Sequence, residues 1–217
     1  MHFLCLHGIG TNSHVLQSQF STISYEMDRH HTFDFVEGTR PAPMAPEIRH
    51  FYPASDEYFS YHNYTMEDMN KALNDLQTYI DEEGPFDGAI GFSQGAGLIA
   101  TYLLRWSYER PGDPLPFKCA IFFSGGSPID PMALGAGTLQ WMKTSDSQIS
   151  LPTAHMWGAK DHLHEDAERL FAICDDRKRT IYLHSQGHEI PSPKAKEDVQ
   201  GCVRVIRRTI EKAELEV

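Results

Sequence analysis

Apolar residues in this chain come in short runs, separated by longer stretches whose apolar positions recur with helical spacing. The runs at 2–6, 32–36, 86–92, 117–124, 153–157 and 180–184 are nearly continuous and partly β-branched or aromatic. That is the pattern of strands buried on both faces. Helical patterns occupy about 13–29, 65–83, 94–108, 165–173 and 194–214. Thr65, with Glu67 and Asp68 just behind it, reads as an N-cap followed by an acidic first turn. Strand alternating with helix predicts an α/β fold: a central, mostly parallel sheet of about six strands with helices on both faces. Ligands of such sheets sit beyond the carboxyl ends of the strands.

Two stretches interrupt the rhythm. Residues 37–64 hold Gly38, Pro41, Pro43, Pro46 and Pro53, then an aromatic cluster of Phe51, Tyr52, Tyr58, Phe59, Tyr61 and Tyr64. Residues 128–151 are also irregular and have room for a short helix. With no linker or repeat in view, the expectation is one domain over 1–217 carrying two insertions that act as lid or pocket wall.

The densest chemical signal is Gly91-Phe92-Ser93-Gln94-Gly95, at the junction of the third apolar run and a helical stretch. A G-x-S-x-G pentapeptide between strand and helix is a nucleophile elbow, in which the turn lifts the serine hydroxyl clear of the sheet. Side chains at the flanking glycines would collide with the neighbouring strand or helix. A serine hydroxyl needs a neutral imidazole to take its proton and a carboxylate to orient that imidazole. The chain supplies both after Ser93 and just beyond strands: Asp161 through Gly158-Ala159-Lys160, and His188 through Ser185-Gln186-Gly187. The oxyanion is expected to meet the backbone N–H of Gln94 and that of Ile9, in the turn Leu6-His7-Gly8-Ile9-Gly10.

Other residues compete for these roles. Asp130 also follows a strand, where some hydrolases carry their acid; Asp166 reads as part of a helical first turn; His155 and His184 fall inside strands. His162 and His164 sit beside Asp161 as a weak metal-ligand pair without a third partner, so neither metal nor cofactor is expected.

Charge and cysteines narrow the picture further. A formal net charge of −11 over 217 residues disfavours nucleic acid and anionic membrane as partners. The chain opens directly on an apolar strand, without a signal-peptide pattern or a run long enough to span a bilayer. Cys5, Cys119, Cys174 and Cys202 are widely spaced, which points to free thiols and a cytoplasmic enzyme.

Taken together, Leu6-His7-Gly8, Phe35-Val36-Glu37-Gly38, Gly91-Phe92-Ser93-Gln94-Gly95-Ala96, the Gly158-x-x-Asp161 loop and Gly187-His188-x-x-Pro191 resemble the fungal serine hydrolase family of the α/β-hydrolase superfamily. The resemblance covers nearly the whole chain. It implies a Ser93–His188–Asp161 triad with an Ile9/Gln94 oxyanion hole, and esterase or thioesterase activity. Several members of that family act beside fungal polyketide synthases, releasing or editing an acyl chain held on a carrier protein. The expected substrate is therefore a small acyl ester or thioester, in one version presented by an acyl carrier protein. The chain departs from the commoner family pattern at Phe59-Ser60-Tyr61-His62-Asn63-Tyr64, where a tryptophan is more usual.

Tyr52, Tyr58, Phe59 and Tyr61 are the candidates for an acyl-binding wall, against the alternative that they pack the insertion onto the sheet; Trp141 and Met142 have the same standing. Arg204, Arg207 and Arg208, or Arg177-Lys178-Arg179, are candidate docking sites for an acidic carrier, or simply solvated faces. Two other functions fit the same residues: a triad that cyclises a polyketide or cleaves its carbon–carbon bond, and a non-catalytic binding module on a hydrolase scaffold.

Overall fold

The computed structural model describes residues 1–27, 30–143 and 149–215. The chain runs β1 (His2–Leu6), α1 (Ser13–Glu26), β2 (Thr32–Val36), β3 (Arg40–Pro41), a 3₁₀ turn (Pro46–Ile48), β4 (Phe59–Ser60) and α2 (Met66–Glu83). It continues through β5 (Gly88–Phe92), α3 (Gln94–Glu109), β6 (Cys119–Phe123), α4 (Pro131–Gly135), β7 (Thr153–Gly158), α5 (His164–Ala172), β8 (Thr180–His184) and α6 (Lys196–Leu215).

Six strands form one sheet in the order β2-β1-β5-β6-β7-β8, and every pairing is parallel. Alternate side chains along each strand enter opposite layers, as the pleat requires. Leu4, Leu6, Ala89, Ala120 and Phe122 face the layer of α2, α3 and α5. Phe3, Cys5, Ile90, Cys119, Ile121 and Phe123 face α1 and α6. Both faces are thus covered, which is why the strand sequences are apolar at consecutive positions instead of alternating.

The six strands and five helices expected from the pattern are all present. β1, β2 and β8 match the expected bounds, and the other elements differ by one to three residues at an end, for local reasons. Ser124 takes φ 43° and stops β6, and Met27 leaves the helical region and closes α1 by donating to the Ile23 carbonyl. Residues 28–29, within the expected first helix, lie outside the described residues, as do 144–148 of the second irregular stretch. Thr65 caps α2 through the Asp68 N–H. The first irregular stretch contains the two-stranded antiparallel ribbon β3–β4 and the 3₁₀ turn; the second contains α4.

Strand order reverses between β1 and β5: the chain leaves β1 toward β2 on one side and returns to β5 on the other. The loops after β1 and β5 therefore diverge to opposite faces and open a crevice at the carboxyl edge. Leu6 and Gly91 are paired across that junction, so Ile9 and Ser93, two or three residues beyond them, come out at its mouth.

Candidate active site

Ser93 joins β5 to α3 with φ 51° and ψ −113°, a conformation that L-residues seldom adopt. Three backbone bonds hold it there. Its N–H donates to Phe123 O (3.0 Å), and its carbonyl accepts from Gly126 N (2.9 Å) and Gly97 N (3.2 Å). The turn is possible only because its flanks lack side chains. A Cβ on Gly91 would stand 2.5 Å from the Ala96 backbone in α3, and one on Gly95 would stand 2.6 Å from His7 O at the end of β1.

The structure brings the two distant partners to this serine. His188 Nε2 lies 2.9 Å from Ser93 Oγ, and His188 Nδ1 lies 3.0 Å from both Asp161 oxygens. The supporting loops are tied together by their backbones: Ala159 N–H donates to His184 O (2.7 Å) and Lys160 N–H to Gln186 O (3.0 Å). Asp161 is buried and also accepts from Leu163 N–H at 2.8 Å. Burial by itself would raise its carboxyl. The hydrogen bond and charge of His188, with the Leu163 N–H, outweigh that and hold it below the usual carboxylate value. An ionised Asp161 keeps hydrogen on Nδ1 of His188 and leaves Nε2 as an acceptor for the serine proton, which is the arrangement that makes a hydroxyl nucleophilic.

Ile9 and Gln94 flank the serine from the two sides of the switch point. Neither backbone N–H has a protein acceptor among the described residues. The Gln94 side chain has a different task that the sequence did not reveal. Its Oε1 accepts from Tyr61 N–H and its Nε2 donates to His62 O, both at 2.9 Å, so it pins the insertion to the start of α3. The Phe35-Val36-Glu37-Gly38 segment works in a similar way. Glu37 accepts from the N–H and hydroxyl of Ser13 at the start of α1, while Gly38 N–H donates to the buried His7 ring.

The four aromatic residues expected to form the acyl-binding wall do not line the cleft at Ser93. Tyr52 packs on a small cluster of Val15, Ile48 and Tyr58. Tyr58 is buried and donates to Pro53 O. Phe59 holds the loop after β1 by backbone bonds, its N–H to Thr11 O (2.8 Å) and its carbonyl from Gly10 N–H (2.9 Å). The Tyr61 hydroxyl accepts from His7 N–H and donates to Val36 O, both at 2.9 Å. Of the alternative weighed from sequence, that these rings pack the insertion onto the sheet, the structure contains a part: Tyr61 bonds to the ends of β1 and β2, while Tyr52 and Tyr58 pack within the insertion and on α1. Trp141 and Met142 also lie away from the cleft, Trp141 against Tyr64 and Met142 against the core.

The cleft itself has a volume of about 430 Å³ and is mostly apolar; Ile9, Met44, Ile48, Phe51, Phe92 and Leu163 line it together with Ser93 and His188. Hydrophobicity in residues 43–51 was visible in the sequence, but nothing there said which surface it would face. Asp130 caps α4, accepting from Met132 and Ala133 N–H, and Asp166 accepts from Ser127 and Arg169. No group of three or more metal-ligating side chains occurs among the described residues. No described helix is long and apolar enough to cross a membrane.

Three buried histidines outside this relay set an acid limit on stability. Burial pushes His62 down to about 4 and His155 down to about 3, the latter helped by the Arg179 charge. Burial also lowers His184, neither of whose ring nitrogens has a hydrogen-bond partner among the described residues. Below the ordinary histidine value of 6.5 the unfolded chain binds protons that the folded one refuses. Stability therefore rises with pH between about 3 and 6.5 and is lost on acidification through that window, by on the order of 1 kcal/mol per pH unit for each of His62 and His155, with His184 acting in the same direction. Asp161 acts in the same direction at lower pH: its contribution is present above the ordinary carboxylate value and disappears as pH falls through its depressed one. Urea titrations at pH 7 and pH 4.5 should show a clear drop in unfolding free energy; a flat profile would contradict the burial of these rings.

A parallel sheet with a serine raised on a strand–turn–helix at its carboxyl edge defines an α/β-hydrolase fold. Solved structures agree: esterase PE8 superposes with a TM-score of 0.66 at 17% identity, covering 96% of this chain and 92% of that one. Acyl-protein thioesterase 2 of Zea mays gives 0.60 at 16%, covering 96% and 93%. The family model described as Serine hydrolase (FSH1) matches residues 1–200, and the chain belongs to that family. It is a serine hydrolase enzyme. Among curated relatives it is 37% identical to Esterase FPY3 of Fusarium mangiferae, over 98% of each chain. It is 30% identical to Hydrolase phiM of Talaromyces stipitatus, over 88% of this chain and 81% of the relative.

Proposed function

We propose that this enzyme cleaves acyl thioesters or esters through an acyl-enzyme on Ser93. The observation that carries the reading is the unbroken relay from Ser93 Oγ through His188 to Asp161, at 2.9 and 3.0 Å. His188 takes the Ser93 proton as the oxygen attacks the substrate carbonyl. The N–H groups of Ile9 and Gln94 receive the developing oxyanion, and the protonated imidazole then delivers its proton to the departing thiol or alcohol. Water repeats the sequence on the acyl-enzyme and releases the acid.

The apolar cleft suits an acyl chain, and the names of the fungal relatives, esterases and hydrolases, support this class of reaction. Family resemblance supports a substrate from polyketide-type secondary metabolism, held on a carrier protein in the thioester version. Arg204, Arg207 and Arg208 are exposed on α6 and suit an acidic carrier. We read residues 1–217 as one catalytic domain whose insertions at 37–64 and 128–151 shape access. Four buried free cysteines support a reducing, cytosolic setting.

The test is intact-mass analysis after incubation with a panel of acyl thioesters and matched oxoesters. The expected result is a transient adduct equal to the acyl group on wild type and none on Ser93→Ala, with solvent oxygen in the released acid. Hydrolysis at undiminished rate without Ser93 would reject the mechanism; a product lacking solvent oxygen would point to cyclisation.

A further inference from the structure

The peptide between Gly8 and Ile9 carries the proposed oxyanion donor, and its carbonyl is held with unusual thoroughness. Gly8 O accepts from Thr11 Oγ1 at 2.7 Å and from Thr11 N–H at 3.3 Å, with His7 Nδ1 at 2.8 Å. Both side chains are buried. At 2.8 Å the Gly8 oxygen can only accept, so His7 Nδ1 donates in this contact, while Nε2 lies 2.9 Å from Gly38 N and 3.0 Å from Glu37 Oε1. The Thr11 hydroxyl also lies 3.2 Å from Nδ1, so threonine and histidine brace each other as well as the carbonyl.

A trans peptide is planar, with its C=O and N–H pointing in opposite directions. Fixing Gly8 O therefore fixes the direction of Ile9 N–H. The peptide stands beside the nucleophile: a Cβ on Gly8 would come 3.3 Å from Ser93 Cβ, and Ile9 lines the same cleft as Ser93. The next two peptides in the loop are anchored separately, Gly10 N–H to Phe59 O in one and Gly10 O from Ala45 N–H in the other, so the Gly8–Ile9 plane depends on its own braces.

We propose that Thr11 is a positioning residue of the oxyanion hole: its buried hydroxyl locks the Gly8–Ile9 peptide plane so that Ile9 N–H meets the tetrahedral oxyanion. The inference rests on the acyl-enzyme mechanism proposed above. It assigns Thr11 no contact with substrate. Its removal should therefore weaken binding of the transition state and leave ground-state binding unchanged.

The experiment compares wild type with Thr11→Val, Thr11→Ala and Thr11→Ser, using p-nitrophenyl butyrate as substrate and an alkyl trifluoromethyl ketone as an analogue whose hemiketal oxygen occupies the hole. Thr11→Val should lower kcat by about tenfold with KM nearly constant, and raise the inhibition constant of the ketone by a similar factor. Thr11→Ser, which keeps the hydroxyl, should stay within about threefold of wild type. Thr11→Ala should behave as the valine variant does and stands in for it if the latter fails to fold. Unchanged kcat in a folded valine or alanine variant, or equal losses in the serine variant with an unchanged ketone constant, would overturn the role of Thr11. Failure of wild type to react with the ketone at Ser93 would instead bring down the mechanism on which it rests.

Discussion

Ser93→Ala should lower kcat on an activated ester by a factor on the order of 10⁶, the scale seen when a serine nucleophile is removed from a relay of this kind. The reasoning is structural as well as chemical. Alanine keeps the Cβ that the φ 51° turn already accommodates, so the elbow and the start of α3 should form as before. What disappears is the oxygen 2.9 Å from His188 Nε2, and with it the covalent intermediate. His188→Ala should cost about as much, and the double variant no more than either single one, because the two residues act as a unit. Labelling by a fluorophosphonate probe, read by intact mass, should vanish in Ser93→Ala. A variant that kept a tenth of the wild-type rate would mean that the hydroxyl is not the nucleophile.

Asp161→Asn should leave a folded protein and reduce kcat by about 10⁴-fold, as loss of the orienting carboxylate does in serine hydrolases generally. An asparagine can still accept from Leu163 N–H through its amide oxygen, so the loop after β7 keeps its anchor. The amide nitrogen, however, can face His188 Nδ1 only as a donor. That favours the tautomer with hydrogen on Nε2, which cannot take the serine proton. The side chain also loses its charge, and with it the stabilisation of the imidazolium that forms during attack. Asp130→Ala is the control. It removes the cap of α4 and should reduce stability by about 1 kcal/mol, with kcat unaffected. A thermal melt alongside the kinetics separates the two outcomes. If Asp130→Ala were the variant that abolished turnover while Asp161→Asn remained active, the acid would have been misassigned.

The contrast between these two aspartates illustrates how far sequence could reach. Both follow strands in the primary structure, and strand-end position alone did not separate them. What separates them is that the loops after β7 and β8 lie against each other, Ala159 N–H on His184 O and Lys160 N–H on Gln186 O, so that position 161 opposes position 188. Asp130 faces its own helix instead. Chain order favoured Asp161; which aspartate stands against His188 is set by the geometry of neighbouring strands.

The aromatic insertion was harder to read for a related reason. Hydrophobicity says that a ring will leave water, but in an irregular segment no periodicity says which surface will receive it. Tyr58 and Tyr61 turned inward, where their hydroxyls meet the carbonyls of Pro53 and Val36. The cleft wall fell to Met44, Ile48 and Phe51, a few residues upstream, together with Leu163 from the loop after β7. The second duty of Gln94, clamping residues 61 and 62, was equally hidden; a polar side chain at a helix start announces no particular partner.

Local physics was enough for the elements and the elbow. Continuous apolar runs dictate strands covered on both faces, and two glycines around a serine at a strand-to-helix junction dictate a turn that few other residues could make. Those features depend on neighbours in the chain, so the amino-acid order by itself determined them. Where the insertion packs and which side chains form the cleft depend on residues tens of positions apart. Only the tertiary structure decided these, because the free energy that selects them comes from contacts that do not exist until the sheet has assembled.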